Sequence, residues 1–378
     1  MRIVFVSNYY NHHQAPLSEA FYIKTNGNYY FIQTMPMENE RKKMGWGANL
    51  PNFVVESYKD KQSYSQALHL IDAADVVIAG SAPEKMIRKR IRSGKLVFRY
   101  SERIYKNIKN WLTLPLRFVK YHFNNFPSKN IYLLCASAYA AGDYAKTRNF
   151  IGKTYKWGYF PAVKKYESID ALVEQKEKAS ILWVARFIEL KHPDASILVA
   201  ERLKKEGYEF NLNLIGNGIL QEKIQNMIKE KGLENYVHIL GVMSPERVRA
   251  YMEISQIFLF TSDFNEGWGA VLNESMNSGC AVVASHAIGS VPFLIKDGEN
   301  GFIYKNGNID DLYDKVKFLL DHPKKCTELG KNAYFTLTDE WNADVAAERF
   351  LHIAENLLNG EKKNFNIYFD GPCAKNEE

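Results

Sequence analysis

Apolar and polar positions follow a repeating order along this chain, in which short apolar runs alternate with longer segments of helical periodicity. Short apolar runs between turn signals predict buried strands, and apolar residues every three or four positions predict amphipathic helices. Strands are expected near residues 2–7, 53–57, 75–79, 95–100, 131–136, 181–185, 209–215, 237–241, 256–262 and 281–285. Because strands that alternate with helices form right-handed βαβ units, the pattern predicts an α/β protein with two Rossmann-like halves and parallel sheets.

Three details of the pattern concern the arrangement of these elements. Residues 210–214 alternate apolar and polar side chains, which predicts an outer strand of the second sheet. A polar, charged stretch near residues 160–178 predicts the linker between the halves. Trp341 opens an amphipathic segment that ends at Leu358, and the polar tail after Gly360 is expected to be loosely ordered.

A loop between two apolar strands carries the clearest chemical pattern. Gly267 and Gly269 lie in this loop, Glu266 stands directly before them, and Glu274 lies on a predicted helix, Ala270 to Ser278. A helix N-terminus offers unpaired N–H groups and a positive dipole end to an anion, and glycines let the anion approach the backbone. Carboxylates beside such a phosphate site are suited to accept hydrogen bonds from sugar hydroxyls. The segment therefore predicts a nucleotide-sugar site; the alternative is a surface loop with two solvated acids.

A second cluster precedes this loop in the chain. Arg186 and Lys191 come after an apolar strand, Ile181 to Ala185, and before a helix that opens near Pro193. In open α/β sheets, ligands bind at the carboxyl ends of the strands. Two cations in that position are suited to a diphosphate, although taken alone they are equally typical of an exposed basic loop.

These segments resemble the GT4 family of retaining glycosyltransferases, which has the GT-B fold. The family pattern is a Glu, seven residues and a second Glu, and the chain carries it as EGWGAVLNE from Glu266 to Glu274. The other matching segments are LIGNG at 214–218, VHILG at 237–241, GCAVVAS at 279–285 and DGENGF at 297–302. The match covers residues 180 to 340 closely, whereas the first 160 residues match in general architecture alone.

The resemblance implies a GT-B architecture of two Rossmann-like domains whose parallel sheets face a central cleft. Residues 1–160 would form the N-terminal acceptor domain, with a C-terminal crossover helix from within 341–378. Residues 179–340 would form the nucleotide-sugar-binding domain.

The resemblance also implies roles for individual residues. Arg186 and Lys191 would stabilise the leaving diphosphate. Glu266 would orient the donor sugar, and Glu274 would hold the ribose. Donor contacts are expected at Gly216, Gly218, Gly241, Gly267, Trp268, Gly269, Ala270, Val271 and Glu274. The chain contains no Asp-x-Asp motif, so a reaction without a metal or another cofactor is expected.

The loop after the first predicted strand offers candidate acceptor contacts. His12, His13 and Gln14 lie there, before a helix expected to open near Pro16, and could hydrogen-bond the acceptor or the donor phosphate. Many relatives carry a glycine pair in this loop, and this chain does not. The resemblance therefore leaves the contact of this loop with the donor phosphate open.

The segment after the strand at 95–100 also departs from the family pattern. Many relatives carry a histidine there, where this chain reads YSER from Tyr100 to Arg103. Either Glu102 or Arg103 would then face the sugar, and Glu102 joins Arg186, Lys191 and Glu266 as a predicted catalytic residue.

One segment carries the whole basic excess of the chain. Thirteen Lys or Arg lie between Lys85 and Lys129 against Glu102 alone, which gives 13 − 1 = +12, whereas the whole chain has 49 − 43 = +6. Aromatic and aliphatic residues are interleaved with these cations, as is typical of a surface that binds anionic lipids. The alternative is a solvated basic helix with an apolar packing loop. Nucleic-acid binding is not expected, because no recognised binding motif accompanies the charge.

Composition and cysteine usage fit an intracellular two-domain enzyme. At 378 residues with 46% hydrophobic content, the chain is long enough for two cores. No apolar run is long enough to span a membrane, and the segment from Met1 to Tyr10 reads as a first strand rather than a signal peptide. The four cysteines show no Cys-x-x-Cys spacing, which favours a reducing, cytoplasmic setting. The basic segment adds the expectation of peripheral attachment to the inner face of the plasma membrane.

The predicted function is retaining transfer of a sugar from a nucleoside diphosphate sugar, with UDP expected, to a glycan or a lipid-diphosphate-linked acceptor in surface polysaccharide biosynthesis. Two other classes stay open. A GT-B sugar-nucleotide epimerase would bind the same donor, but it needs acid and base residues at C2, and no clear pair is visible. A non-catalytic, membrane-anchoring subunit would use a degenerate site, whereas Arg186, Lys191, Glu266 and Glu274 are all present.

Overall fold

A computed structural model describes residues 1–38, 50–106, 113–126, 128–361 and 367–376. The chain divides into two compact units, each built around its own parallel sheet. The first unit comprises Met1–Ala162 and Glu340–Glu378, and the second unit comprises Val163–Asp339.

The first unit is built on a seven-stranded sheet. Its strands are β1 (Ile3–Ser7), β2 (Tyr29–Gln33), β3 (Val54–Glu56), β4 (Val76–Ala79), β5 (Val97–Ser101), β6 (Ile131–Cys135) and β7 (Thr154–Lys156). The order is β3-β2-β1-β4-β5-β6-β7, and every neighbouring pair is parallel. The apolar runs of β1, β4 and β6 are buried along their whole length, as expected for strands covered on both faces.

The helices of the first unit come from both ends of the chain. They are α1 (Ala15–Lys24), α2 (Lys61–Ala73), α3 (Glu84–Arg92), α4 (Leu114–Asn125), α5 (Ala140–Ala145) and, near the C-terminus, α14 (Ala343–Leu358). The ring of Phe350 on α14 lies 5.3 Å from that of Phe21 and 4.8 Å from that of Phe98. The C-terminal helix therefore completes the core of the first unit.

The prediction of a loosely ordered tail is wrong for residues 367–376, because they bind the edge strand β7. The backbone N–H of Lys156 donates to the Ala374 carbonyl at 2.7 Å, and the N–H of Cys373 donates to the Lys156 carbonyl at 2.8 Å. The N–H of Asn376 donates to the Thr154 carbonyl at 3.1 Å. An edge strand exposes unpaired backbone groups, and the tail supplies their partners.

The second unit is built on a six-stranded sheet. Its strands are β8 (Glu177–Val184), β9 (Asn211–Ile215), β10 (Val237–Gly241), β11 (Ser255–Phe260), β12 (Ala281–Ser285) and β13 (Phe302–Tyr304), in the order β10-β9-β8-β11-β12-β13. All neighbouring pairs are parallel. The prediction that residues 210–214 form an outer strand is wrong, since β9 lies between β10 and β8. The polar side chain that suggested exposure, Asn213, is buried.

Helices cover both faces of the second sheet. They are α6 (Ile169–Glu174), α7 (Pro193–Lys205), α8 (Gln221–Glu230), α9 (Pro245–Ile254), α10 (Val271–Asn277), α11 (Val291–Leu294), α12 (Ile309–Asp321) and α13 (Pro323–Phe335). Helix α6 lies inside the stretch predicted as a linker. Its Ile169 and Val173 are buried against Tyr334, so this part of the stretch belongs to the second unit.

Candidate functional site

The candidate residues of the second unit gather where its central strands end. Strands β8 and β11 are parallel neighbours, so the segments that follow them, 185–192 and 261–270, leave the same edge of the sheet. Ligands of open α/β sheets bind outside this carboxyl edge. Arg186 and Lys191 lie on the first segment, and Glu266 lies on the second.

Hydrogen bonds tie these two segments together. The Thr261 hydroxyl donates to the Lys191 carbonyl at 2.6 Å and accepts from the Trp183 indole N–H at 2.8 Å. The backbone N–H of Asp263 donates to the Leu190 carbonyl at 2.9 Å. Trp183 and Thr261 are buried, so this brace is shielded from water. It fixes the backbone from which the Lys191 and Glu266 side chains extend.

Lys191 and Glu266 form an ion pair across the two segments. Each side chain is only 14% exposed, so the pair is mostly shielded from water. The backbone N–H of Glu266 donates to the Asp263 carbonyl at 3.0 Å, and the Asp263 carboxylate accepts from the Asn265 N–H at 2.7 Å. These bonds hold the turn that carries Glu266. A cation and a carboxylate in contact can together serve a ligand that has both phosphate and hydroxyl groups.

Arg186 stands apart from this pair. Its side chain is exposed, and its carbonyl accepts from the Ile188 N–H at 2.9 Å in the turn after β8. Across the residues that the structure describes, no hydrogen bond or ion pair joins Arg186 to Lys191 or Glu266. The guanidinium is therefore accessible to an anion, which an arginine can bind through a planar fork of N–H donors.

Two glycines allow close backbone approach at this edge. Gly216 has a φ of +135°, and a Cβ there would collide with the Ala185 carbonyl. Gly269 has a φ of +80°, and a Cβ there would collide with the Phe260 ring. Residues with side chains rarely adopt these conformations. The other predicted glycines lie at the same edge, after β9, at the end of β10 and after β11: Gly218, Gly241 and Gly267.

The Trp268 side chain is placed in the core rather than at a ligand surface. It is 1% exposed, and its indole N–H donates to Asn273 Oδ1 at 2.9 Å. A donor could therefore contact Trp268 only through the backbone. Ala270 is the N-cap of α10 and Val271 is its first residue, so these two predicted residues lie at the helix start.

Glu274 lies one turn into α10 and is half-buried. Burial raises the pKa of its carboxyl, and the positive charge of Arg249 opposes that rise. Arg249, on α9, donates to Asn277 Oδ1 at 2.8 Å and to the Glu274 carbonyl at 3.4 Å. Sequence reasoning missed Arg249, because α9 precedes the motif by more than a strand. Arg249 is partly buried and stands three residues before Met252, the buried residue of α9, so it lies on the inward side of that helix.

Lys176 is a second cation that the sequence did not reveal, and its role is structural. Its side chain is buried, and burial lowers its pKa. The ammonium donates at 2.9 to 3.0 Å to four backbone carbonyls, which are those of Met252, Glu253, Ser255 and Ser278. Because these carbonyls follow α10 and end α9, Lys176 fixes the helix that carries Glu274 to the helix that carries Arg249.

The candidate acceptor residues lie together at the start of α1 in the first unit. The rings of His12 and His13 are 3.9 Å apart, and burial lowers the pKa of His12. Gln14 is the N-cap residue of α1, and its backbone N–H donates to the Asn11 carbonyl at 2.9 Å. The ring of His13 lies 6.4 Å from that of Tyr159.

The structure separates Glu102 from Arg103. The Glu102 carboxylate accepts from the Tyr159 hydroxyl at 2.6 Å and from the Lys106 ammonium at 2.9 Å. Arg103 instead lies 3.7 Å from the buried carboxylate of Asp143. Because the ring of His13 also lies beside that of Tyr159, Glu102 shares a neighbour with the predicted acceptor loop.

Several cations of the basic segment 85–129 are already bound to neighbouring groups of the chain. Arg90 is 1% exposed and donates to the carbonyls of Ile71, Ala74, Asp75 and Leu96. Lys89 and Lys95 pair with Asp72 at 2.8 and 3.4 Å, and Arg99 pairs with Glu84 at 2.8 Å. Arg90 therefore supports the fold and does not belong to a binding surface. Lys109, Trp111 and Leu112 of this segment lie outside the described residues.

Solved structures establish the fold class. Over 95% of this chain and 100% of the other, the chain superimposes on the crystal structure of HepE from Anabaena in complex with UDP, with a TM-score of 0.68 and 16% identity. It also superimposes on the sucrose-phosphate synthase of Thermosynechococcus elongatus over the same shares, with a TM-score of 0.62 and 14% identity. The fold is therefore that of the GT-B glycosyltransferases, as the sequence predicted.

Sequence comparison points to a family within that fold. Residues 164–335 match the family described as Glycosyl transferases group 1. The poly(ribitol-phosphate) alpha-N-acetylglucosaminyltransferase of Staphylococcus aureus (strain COL) is 28% identical over 171 residues, 45% of this chain and 34% of that protein. The amylovoran biosynthesis glycosyltransferase AmsK of Erwinia amylovora is 28% identical over 182 residues, 47% of this chain and 44% of that protein. The chain spans less than half the length of these relatives, and the family match lies within the second unit.

None of the helices in the described ranges is both long and apolar enough to cross a bilayer.

Proposed function

We propose that this protein is a retaining, metal-independent glycosyltransferase that transfers a sugar from a nucleoside diphosphate sugar to a glycan or lipid-linked acceptor in surface polysaccharide biosynthesis. The observation that carries the proposal is the contact between Lys191 and Glu266 at the ends of two adjacent strands. This contact places a cation that can bind a phosphate beside a carboxylate that can accept hydrogen bonds from sugar hydroxyls. The family match of residues 164–335 supports the proposal, and the UDP bound to HepE favours UDP as the nucleotide.

The donor bond breaks toward an oxocarbenium-like state, and negative charge grows on the leaving diphosphate. Arg186 and Lys191 stabilise this charge, together with the backbone near Gly269. Such preorganised groups are the largest electrostatic contribution to many enzymatic reactions. The brace between the two segments keeps Lys191 in position, so the site needs little reorganisation when the charge develops.

The two glutamates bind the donor at opposite ends. Glu266 accepts hydrogen bonds from the sugar hydroxyls, and Glu274 accepts them from the ribose. The leaving phosphate oxygen takes the proton of the acceptor hydroxyl on the face from which it departs, which retains the anomeric configuration. Glu266 and Glu274 are therefore not the acid and base of a glycosidase.

The acceptor binds the first unit. His12, His13 and Gln14 supply polar contacts from the start of α1, and Glu102 supplies a carboxylate that Tyr159 and Lys106 hold in place. Because Glu102 is held by two donors, it is positioned to accept a hydrogen bond from a hydroxyl of the acceptor or the transferred sugar.

The first unit binds an anionic membrane through α4 and its neighbours. Leu116, Val119 and Phe123 are 73%, 65% and 60% exposed, and their spacing places them on one side of the helix. The Arg88 guanidinium lies 4.9 Å from the Phe123 ring, which sets a cation beside this apolar face. Such a surface fits a lipid-linked acceptor presented at an anionic bilayer.

The donor is identified by thermal stabilisation with UDP-, GDP- and ADP-sugars, because a ligand that binds the folded state raises its melting temperature. The product is then made from the stabilising donor, and the anomeric configuration is read by NMR. Inversion at the anomeric carbon would refute the retaining mechanism, and loss of activity in EDTA would refute metal independence.

Two other functions give different results in the same experiment. An epimerase would convert the donor alone into a second nucleotide sugar without an acceptor. A non-catalytic anchoring subunit would show no stabilisation by any nucleotide sugar. Formation of a glycosylated acceptor excludes the non-catalytic subunit. If no epimer of the donor forms as well, the epimerase is excluded too.

A further inference from the structure

Glu266 already forms an ion pair with Lys191, the cation that the proposed function assigns to the diphosphate. In their ion pair, Lys191 and Glu266 are both mostly shielded from water. A phosphate oxygen that binds the Lys191 ammonium must either displace the Glu266 carboxylate or lie beside it. Two anions at that distance repel each other more strongly where water is excluded.

The backbone around Glu266 is held in place, so its carboxylate can move only by rotation of the side chain. Its N–H is bonded to the Asp263 carbonyl at 3.0 Å, and the Asp263 N–H is bonded to the Leu190 carbonyl at 2.9 Å. On the other side, a Cβ added at Gly269 would stand 3.3 Å from the Glu266 Cγ, so the side-chain stem is flanked by backbone. Glu266 therefore stays close to any phosphate that Lys191 holds.

We propose that Glu266 makes this site distinguish a nucleoside diphosphate sugar from the free nucleoside diphosphate. The inference rests on the proposed function, in which Glu266 faces the sugar. When the sugar is attached, the carboxylate exchanges Lys191 for sugar hydroxyls and remains hydrogen-bonded. When the free diphosphate binds, the carboxylate loses Lys191, gains no hydroxyl and repels the terminal phosphate. Glu266 thereby weakens the binding of the product and favours its release.

Calorimetry on the whole chain tests this inference. The ligands are the nucleoside diphosphate of the stabilising donor and the corresponding monophosphate. Glu266→Gln keeps the shape of the side chain and removes its charge. We expect the diphosphate to bind this variant about tenfold more tightly than wild type, the scale of one charge-assisted hydrogen bond. The monophosphate lacks the terminal phosphate, so its affinity should not change.

Two further variants make the result specific. Glu189→Gln removes one charge from an exposed residue two positions before Lys191, and it should bind the diphosphate as wild type does. In a Lys191→Met background, Glu266→Gln should change the affinity much less than it does alone, because competition for the cation has gone. Melting temperatures near that of wild type show that each variant is folded.

The possible outcomes separate this inference from the proposed function. If Glu266→Gln binds the diphosphate no more tightly than wild type, or if Glu189→Gln tightens it equally, the inference is overturned and the proposed function stands. If the wild-type protein binds neither UDP, GDP nor ADP, the proposed function fails, and the inference fails with it.

Discussion

Three cations of the second unit are partly or fully buried, and each contacts a different kind of partner. Lys191 meets the carboxylate of Glu266, Lys176 meets backbone carbonyls, and Arg249 counters the half-buried Glu274. A buried charge without a partner is strongly unfavourable, so each of these side chains depends on its partner in the folded state. The partner also determines the role, since a carboxylate can be exchanged for a ligand, whereas the carbonyls that end a helix cannot.

Replacing either of the two cations that follow β8 should slow the proposed sugar transfer. We expect Arg186→Ala and Lys191→Ala each to reduce kcat by about 10²-fold or more, the scale seen when a group that stabilises developing charge is lost. Lys223→Ala, on the exposed side of α8, is the matched control and should keep the wild-type rate. Steady-state kinetics with the identified donor measure the effect. Near-normal rates in both single variants would remove these residues from the mechanism.

The Glu274 carboxylate should strengthen ligand binding and, at alkaline pH, lower the stability of the folded protein. Burial raises its pKa, so the folded state binds the proton more readily than the unfolded state. The carboxyl therefore favours folding below its ordinary pKa of 4.5, and this contribution is lost as the pH rises through the raised value. Glu274→Gln, which is neutral throughout, should melt higher than wild type at alkaline pH and lose that advantage as the pH falls toward 4.5.

The same Glu274→Gln variant should bind the nucleotide more weakly, because a neutral amide is a poorer acceptor for ribose hydroxyls than a carboxylate. Calorimetry and scanning calorimetry measure the two effects. Glu222→Gln, exposed on α8, should show neither. Unchanged nucleotide affinity in Glu274→Gln would contradict the assignment of this residue to the ribose.

At the scale of elements, both units end a helix in the same way. The last carbonyls of a helix have no partner within the helix. After α2, those of Ile71 and Ala74 accept from the buried guanidinium of Arg90. At the end of α9, that of Met252 accepts from the buried ammonium of Lys176. In each case one internal cation connects a helix end to the core beside it.

Removing this connection should destabilise the second unit. Lys176→Met removes the ammonium from four carbonyls, of which those of Met252 and Ser255 still have the Cys280 thiol within 3.1 and 3.5 Å. We expect the free energy of unfolding to fall by about 3 kcal/mol, since unsatisfied buried acceptors cost about 1–3 kcal/mol. Lys178→Met, the same substitution on an exposed neighbour in β8, should change it little. Chemical denaturation measures both. Equal stabilities of the two variants would show that the carbonyls find other partners.

The sequence predicts elements well where their signal is local. The apolar runs of β1, β4 and β11 and the glycine turn before α10 are local, and they identified the fold and the loop that carries Glu266. Strands β2, β7 and β13 were not predicted; β7 and β13 have three residues each and so carry little local signal, although β3 of the same length was predicted. Arg249 and Lys176 were missed because their partners lie 25 to 102 residues away, and periodicity says nothing about such contacts.

At the scale of the whole molecule, the formal charge of +6 is less important for binding an anionic surface than the positions of the exposed cations. Arg90, Arg99 and Lys95 are engaged with neighbours, so they add little to a binding surface. Lys85, Arg92 and Lys120 are exposed on α3 and α4 instead.

Membrane attachment should depend on the exposed cations and the apolar face. Replacing Lys85, Arg92 and Lys120 with Glu should abolish flotation with anionic vesicles at low salt, because exposed charges act within about 10 Å at 0.1 M salt. The variant should still glycosylate a soluble acceptor. A matched reversal of Lys223, Lys229 and Lys324, in the second unit, should leave flotation unchanged. A wild-type protein that does not float with vesicles would rule out the attachment.

The return of α14 to the first unit has a consequence for synthesis. The ring of Phe350 packs against Phe21 and Phe98, which leave the ribosome long before it does. The second unit, Val163–Asp339, is one continuous stretch and can fold as soon as it emerges. The unit that is begun first is therefore finished last, and a chain released between residues 340 and 349 has a complete second unit and a first unit that lacks part of its core.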